Sequence, residues 1–134
     1  MGAMADDGYA GRLAVRVLDP PRDEDGPDGR TVVLELRGEL DHDTAAPLKE
    51  ALAGQSGTQR VVVDCAELRF CDSTGLNLLL RARLRLLDGG GRLDLAGLGP
   101  PVDRMFEITG ARSVFRVYEN TAAALADASA AEGS

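Results

Sequence analysis

Lysine and histidine are nearly missing from this chain: Lys49 and His42 are the only ones. The arginines are scattered and the net charge is −7. Nucleic-acid surfaces need clustered Lys and Arg against phosphates, so none is expected; the acidic field favours a protein partner with a basic contact patch. A serine hydrolase would have to combine Ser73 as nucleophile with His42 as base. Yet Ser73 stands in Cys-Asp-Ser-Thr-Gly, not Gly-x-Ser-x-Gly, and the chain has no Gly-rich oxyanion loop. Two cysteines, Cys65 and Cys71, fall short of the four ligands of a structural zinc site. They lie in or beside an apolar run and read as reduced, buried thiols. No apolar stretch approaches the ~20 residues that span a membrane. The first residues lack the layout of a secretion signal, and Asp6 stands where a myristoylation signal wants Ser or Thr. A cytoplasmic protein without membrane contact, metal, cofactor or enzymatic activity is expected.

What is present suits one soluble domain: 134 residues, 44% hydrophobic and 28% charged, in the range of ordinary globular proteins. Such a chain buries roughly two-thirds of its unfolded surface without covalent staples. Residues 1–11 are expected to be a disordered leader or a cloning remnant, with Met4 as the native start, and residues 129–134 a frayed tail.

Between these ends the elements alternate. Leu13–Leu18 alternates apolar and polar residues as a half-buried strand. Residues 19–30 are an acidic loop whose prolines and glycines exclude regular structure. Thr31–Arg37 reads as a second strand. A helix follows, with Pro47 in its first turn and its cap near Asp43 or Thr44; Leu48, Ala51 and Leu52 mark its buried side and Gly54 stops it. The third strand runs from Arg60 to about Cys65. The next helix spans Ser73 to about Asp88, with Leu76, Leu79, Leu80, Leu84 and Leu87 at helical spacing. Arg83 falls inside that arc, its stem expected along the core edge and its head in water. Arg92–Ala96 is a fourth strand. Pro100 to Gly110 is a short helix with Pro at its start and Gly at its end. Val114–Val117 reads as the last strand, and Asn120 caps an alanine-rich helix. The order β-β-α-β-α-β-α-β-α predicts an α/β fold: a mixed central sheet of about five strands with about four helices.

The most informative stretch joins the third strand to its helix. Asp72-Ser73-Thr74-Gly75 delivers a hydroxyl to the first turn of a leucine-rich helix on a rigid support. Helix N-termini carry unpaired N–H groups and partial positive charge, so they tolerate anions. As ordinary chemistry, Asp72 or Ser73 is a cap. Ser73 there is also well placed to carry a phosphate.

Three separated stretches share one resemblance: Gly38-Glu-Leu-Asp-x-x-Thr-Ala, Asp64-Cys-Ala-x-Leu-x-Phe-Cys-Asp-Ser-Thr-Gly-Leu and Thr109-Gly-Ala-x-x-Val-Phe-x-Val-Tyr118. Over about residues 12 to 128 the chain resembles STAS domains, specifically the stand-alone anti-sigma factor antagonists of bacteria. The resemblance implies a partner-switching regulator. Its unphosphorylated form binds an anti-sigma factor, a serine kinase with a histidine-kinase-like ATP fold, and so releases the sigma factor. The kinase would switch it off by phosphorylating Ser73, with Thr74 as the alternative site, and a metal-dependent serine phosphatase would restore it. Asp41, Asp72, Ser73, Thr74, Gly75 and Asn77 form the implied partner contact. Gly75 either admits the kinase and its nucleotide or lets the helix pack on the sheet. Asp41 either touches the partner or orders its own turn. His42 is expected at the exposed rim, and the protein is expected to be a monomer.

The chain departs from the resemblance in two places. The link over residues 19–30 is longer than usual, and Cys71 replaces a frequent methionine. Parallel second and third strands would put the acidic loop at the sheet end remote from Ser73, where it is expected to be mobile and dispensable for kinase binding. Two other roles use the same residues. One is a STAS subunit of a lipid-transport or stressosome-like sensory complex. The other is a receiver-like switch with Asp41, Asp64 and Asp72 around magnesium, for which Lys49, inside a helix, is poorly placed. The arginine-for-lysine bias, with many Ala and Gly, points to a GC-rich bacterial genome.

Overall fold

A computed structural model describes residues 13–19, 30–55 and 58–127. The leader, most of the acidic loop and the tail lie outside the described residues, and so do the expectations placed on them. The described part is one five-stranded sheet in the order β1-β2-β3-β4-β5. Strand β1 (Leu13–Leu18) runs antiparallel to β2 (Thr31–Leu40). From there β3 (Arg60–Cys71), β4 (Arg92–Ala96) and β5 (Val117–Tyr118) each add in parallel. The helices are α1 (Ala46–Ala53), α2 (Ser73–Asp88), α3 (Pro100–Thr109) and α4 (Thr121–Ala126). The expected mixed sheet with four helices is therefore found, in the expected order.

Parallel strands are buried on both faces, so they carry near-continuous apolar runs. Val32, Leu34, Leu36, Val61 and Val63 face the main core under α1, α2 and α3. Val33, Val62 and Ala96 face the other way, onto Ala124 of α4. Among the described residues no helix is long and apolar enough to cross a membrane.

Several boundaries differ from the sequence expectation, each for a visible reason. Strands β2 and β3 run on to Leu40 and Cys71, which pair with each other. The ladder shifts register between Glu35 and Arg37 and again between Gly38 and Glu39, and each time β3 carries the extra residue. A bulge of this kind breaks the two-residue period. Cys65, Leu68 and Cys71 therefore point inward at a spacing of three, a pattern that does not read as a strand.

Helix α1 starts later than expected. Ala45 occupies its cap position and makes no side-chain cap bond. Thr44 is otherwise engaged: its hydroxyl donates to the Glu39 carbonyl (2.8 Å) and accepts from the Asp41 amide (2.9 Å). The last strand is also shorter. Val114 has helical torsions and its amide bonds the Ala111 carbonyl, closing a 3-10 turn over Ala111–Ser113. Strand pairing begins only at Val117.

Helix α2 keeps its expected span but turns a different side to the sheet. Gly75, Leu76, Leu79, Ala82 and Leu86 are buried, whereas Leu84 and Leu87 are 59% and 45% exposed. Counting leucines shifted the predicted arc, because the side that approaches the sheet most closely carries the two small residues. Arg83 is half-buried, as expected of a stem at the core edge.

Asp94 departs furthest from a simple alternating strand. It lies on the α4 side of β4 and is 1% exposed. It accepts from Arg60 Nε (2.9 Å) and from Arg92 Nη2 (3.0 Å) and Nε (3.2 Å). Arg60, itself 2% exposed, also donates Nη1 to the Ala124 carbonyl at 2.9 Å. This buried ion network ties the starts of β3 and β4 to α4.

Candidate functional site

The site grows from the paired ends of β2 and β3. Leu40 lies opposite Cys71, and the Leu40 carbonyl accepts the Asp72 amide at 3.1 Å. Asp41 and Asp72, the next residue on each strand, are thereby set beside one another. Asp72 is extended (φ −100°, ψ −173°) and caps α2: its Oδ1 accepts the Gly75 amide at 3.1 Å. Its carbonyl takes the Leu76 amide, the first bond of the helix. Ser73 follows as the first helical residue and is exposed, as are Thr74 and, one turn on, Asn77. The serine hydroxyl is thus displayed on a capped strand-to-helix junction.

Asp41 orders its own turn. Its Oδ1 accepts from the amides of Asp43 (2.9 Å) and Thr44 (3.1 Å), an Asx arrangement that local carboxylates favour. The side chain remains half-buried, so the same residue borders the surface around Ser73. Asp43 and His42 pair with each other at 3.2 Å on the exposed rim.

Gly75 stands apart from the other implied contact residues because it is buried. A Cβ there would lie 2.5 Å from Leu40 Cγ, 2.7 Å from Leu40 Cδ2 and 3.1 Å from Cys71 Sγ. Glycine lets α2 descend onto the β2–β3 junction, which fixes the height of Ser73 above the sheet. We expect Gly75→Ala to cost about 1–3 kcal/mol, the usual range for overfilling a close-packed core. Urea denaturation followed by circular dichroism checks this; an unchanged midpoint would mean that Leu40 moves aside freely.

Cys65 and Cys71 are free and buried. Burial pushes both thiols up, that of Cys71 to about 12, with the Asp72 carboxylate adding to the shift at Cys71. The thiolate is the reactive form, so both cysteines are inert core residues at neutral pH. Asp64 bonds the Ala66 amide at 3.0 Å. Among the described residues no three His, Cys, Asp or Glu side chains converge as a metal site would require. The receiver-like arrangement of Asp41, Asp64 and Asp72 is therefore not assembled.

Sequence reading missed one feature next to this site. Lys49 and Leu52 of α1 and Thr74, Asn77, Leu78, Arg81 and Arg85 of α2 line a cleft of about 280 Å³. Its signal in the sequence is the pair Arg81 and Arg85, four residues apart on the flank of α2.

Comparison with known proteins places this geometry. Residues 25–116 match the family model described as Mlab, STAS domain. The chain is 34% identical over 90 residues to the anti-sigma-B factor antagonist of Staphylococcus epidermidis, covering 66% of this chain and 83% of that protein. The crystal structure of an anti-sigma factor antagonist from Mycobacterium paratuberculosis superposes with a TM-score of 0.70 at 25% identity, covering 87% of this chain and 93% of the other. The Bacillus cell fate determinant SpoIIAA in its phosphorylated form superposes at 0.63 with 23% identity, covering 84% and 96%, a likeness of fold.

Proposed function

The chain belongs to the STAS-domain family, and on that footing we propose that it is a bacterial anti-sigma factor antagonist switched by phosphorylation of Ser73. Unphosphorylated, it docks onto an anti-sigma factor serine kinase through the surface around Asp41, Asp72, Ser73, Thr74 and Asn77, and the sigma factor is released. Phosphate on Ser73 ends docking, and a metal-dependent phosphatase reverses the change. This switch operates in the cytoplasm and needs no catalytic group of the chain itself.

The observation that carries this reading is the display of Ser73. It is the exposed first residue of α2, held by an Asp72 cap on the end of a central strand. A kinase can reach such a hydroxyl without unfolding its surroundings. The added charge, roughly −1.5 to −2, meets the positive end of a helix, where it is favourable by ~0.3–1 kcal/mol. The fold therefore tolerates phosphate, and its effect falls on the docking surface. The acidic rim of Asp41 and Asp72 adds to that negative charge.

Intact mass before and after incubation with the partner kinase and ATP tests the assignment. Wild type and Thr74→Ala are expected to gain one phosphate, and Ser73→Ala none. A phosphate lost only in Thr74→Ala would move the switch to its neighbour. A chain that gains no phosphate and co-purifies with a transporter ATPase would instead be a STAS subunit of a transport complex.

A further inference from the structure

The cleft beside Thr74 continues along the molecule. A second cleft, of about 340 Å³, shares Lys49, Leu52 and Arg85 with the first and extends past Ala82 and Leu86 to Gly89 and Thr58. Together they form one groove between α1 and α2, running from Thr74 to Gly89, or about 22 Å of helix. Leu52, Leu78, Ala82 and Leu86 supply an apolar floor, buried or half-buried. Lys49, Arg81 and Arg85 stand exposed on the walls, and among the described residues no Asp or Glu lines either cleft.

Charge separates this groove from the rest of the protein. The chain carries a net charge of −7, yet three cations converge here. None of the three has an ion-pair partner among the described residues. A larger cleft of about 640 Å³, between the C-terminal end of α2 and the start of β4, also holds arginines. There Arg92 pairs with Asp94, which itself lines that cleft, and Arg116 lies 3.8 Å from Asp127, so two of its three arginines already face a carboxylate, unlike Lys49, Arg81 and Arg85.

From this juxtaposition we propose that the α1–α2 groove is a docking site for an acidic, leucine-bearing segment of a partner protein. The segment lays apolar side chains on the floor and carboxylates against Lys49, Arg81 and Arg85. Its length matches about four helical turns, the helix-in-groove mode of recognition. A nucleic acid fits less well: three cations are few, and the overall negative field repels a long polyanion. A membrane surface would call for leucines projecting beside the cations, but the exposed Leu84 and Leu87 line neither cleft. One end of the groove is Thr74 and Asn77, so a partner held here also covers the approach to Ser73. The inference goes beyond the phosphorylation switch and does not need it.

Fluorescence anisotropy tests the groove with a labelled sixteen-residue peptide of glutamate and leucine at helical spacing. Saturable binding that weakens with salt is expected, falling at least tenfold in the full chain carrying Lys49→Glu, Arg81→Glu and Arg85→Glu. An equal charge change at exposed positions elsewhere, Arg37→Glu, Arg69→Glu and Arg104→Glu, should leave more than half the affinity. Should the first triple variant melt early, the milder Lys49→Gln, Arg81→Gln, Arg85→Gln set replaces it with the same expected direction. No binding by wild type, equal loss in both triple variants, or preferential binding of single-stranded RNA or phosphatidylglycerol vesicles would overturn the proposal. Absence of Ser73 phosphorylation with peptide binding intact would refute the switch and leave the groove standing.

Discussion

Phosphorylated Ser73 is expected to weaken binding to the partner kinase at least ~100-fold while leaving the melting temperature within about 2 °C of the unmodified protein. The two halves of this expectation have separate causes. Like charges brought together across an interface cost several kcal/mol, and each 1.4 kcal/mol is tenfold in affinity. Within the domain, the same phosphate sits at the positive end of the sixteen-residue helix α2, where its charge is accommodated. The Asp72 cap already satisfies the Gly75 amide, so no backbone bond depends on the unmodified hydroxyl. Isothermal titration against the kinase and differential scanning calorimetry of the phosphoprotein check the pair. A large melting shift, or a change in amide chemical shifts spread across the whole sheet, would replace the local electrostatic block with a conformational switch.

The largest stability effect is expected at the opposite end of β3. Asp94→Ala should lose about 3–5 kcal/mol, the range for breaking one side of a buried ion pair. Out of a typical total of 5–15 kcal/mol, that is a drop of roughly 10–20 °C in melting temperature. The cause is the partner left behind. Arg60, 2% exposed, would keep its bond to the Ala124 carbonyl and its position 5.6 Å over the Tyr118 ring, but no carboxylate would balance its charge. Replacing both members, Arg60→Met with Asp94→Leu, should cost less than Asp94→Ala alone, because no buried charge is stranded. Urea melts of the two variants decide this. A double variant less stable than Asp94→Ala would show that the network contributes by more than mutual neutralisation. Because β3 separates Arg60 from Ser73 by its whole length, kinase affinity of the folded fraction should not change in either variant.

Local chemistry was legible in the sequence wherever one element decided it. A cap at Asp72 or Ser73 for α2, the span of that helix, the glycine stop after α3 and the Asn120 cap of α4 are all settled by neighbours a few residues apart, and the structure picks Asp72. The parallel pairing of the second and third strands was implied by the resemblance, and the structure has it. Exposure of Ser73 followed from its place at a helix start. The resemblance carried by the Asp-Ser-Thr-Gly-Leu stretch supplied the functional reading, and the related antagonists point the same way.

Tertiary structure decided what depends on residues brought from afar. The bulges that carry β3 to Cys71 exist only against β2, and they replace a two-residue period with one that resembles a helix. Gly75 became a contact with Leu40, thirty-five positions earlier in the chain, so no local pattern could assign its role. The burial of Asp94 depends on Arg60 from β3 and on α4 covering it, neither of them near in sequence. The cation groove needed α1 laid alongside α2 before Lys49 could join Arg81 and Arg85. Periodicity and capping are properties of adjacent residues and can be read along a chain. Burial, close approach and converging charge are properties of surfaces that meet, and only the folded molecule brings them together.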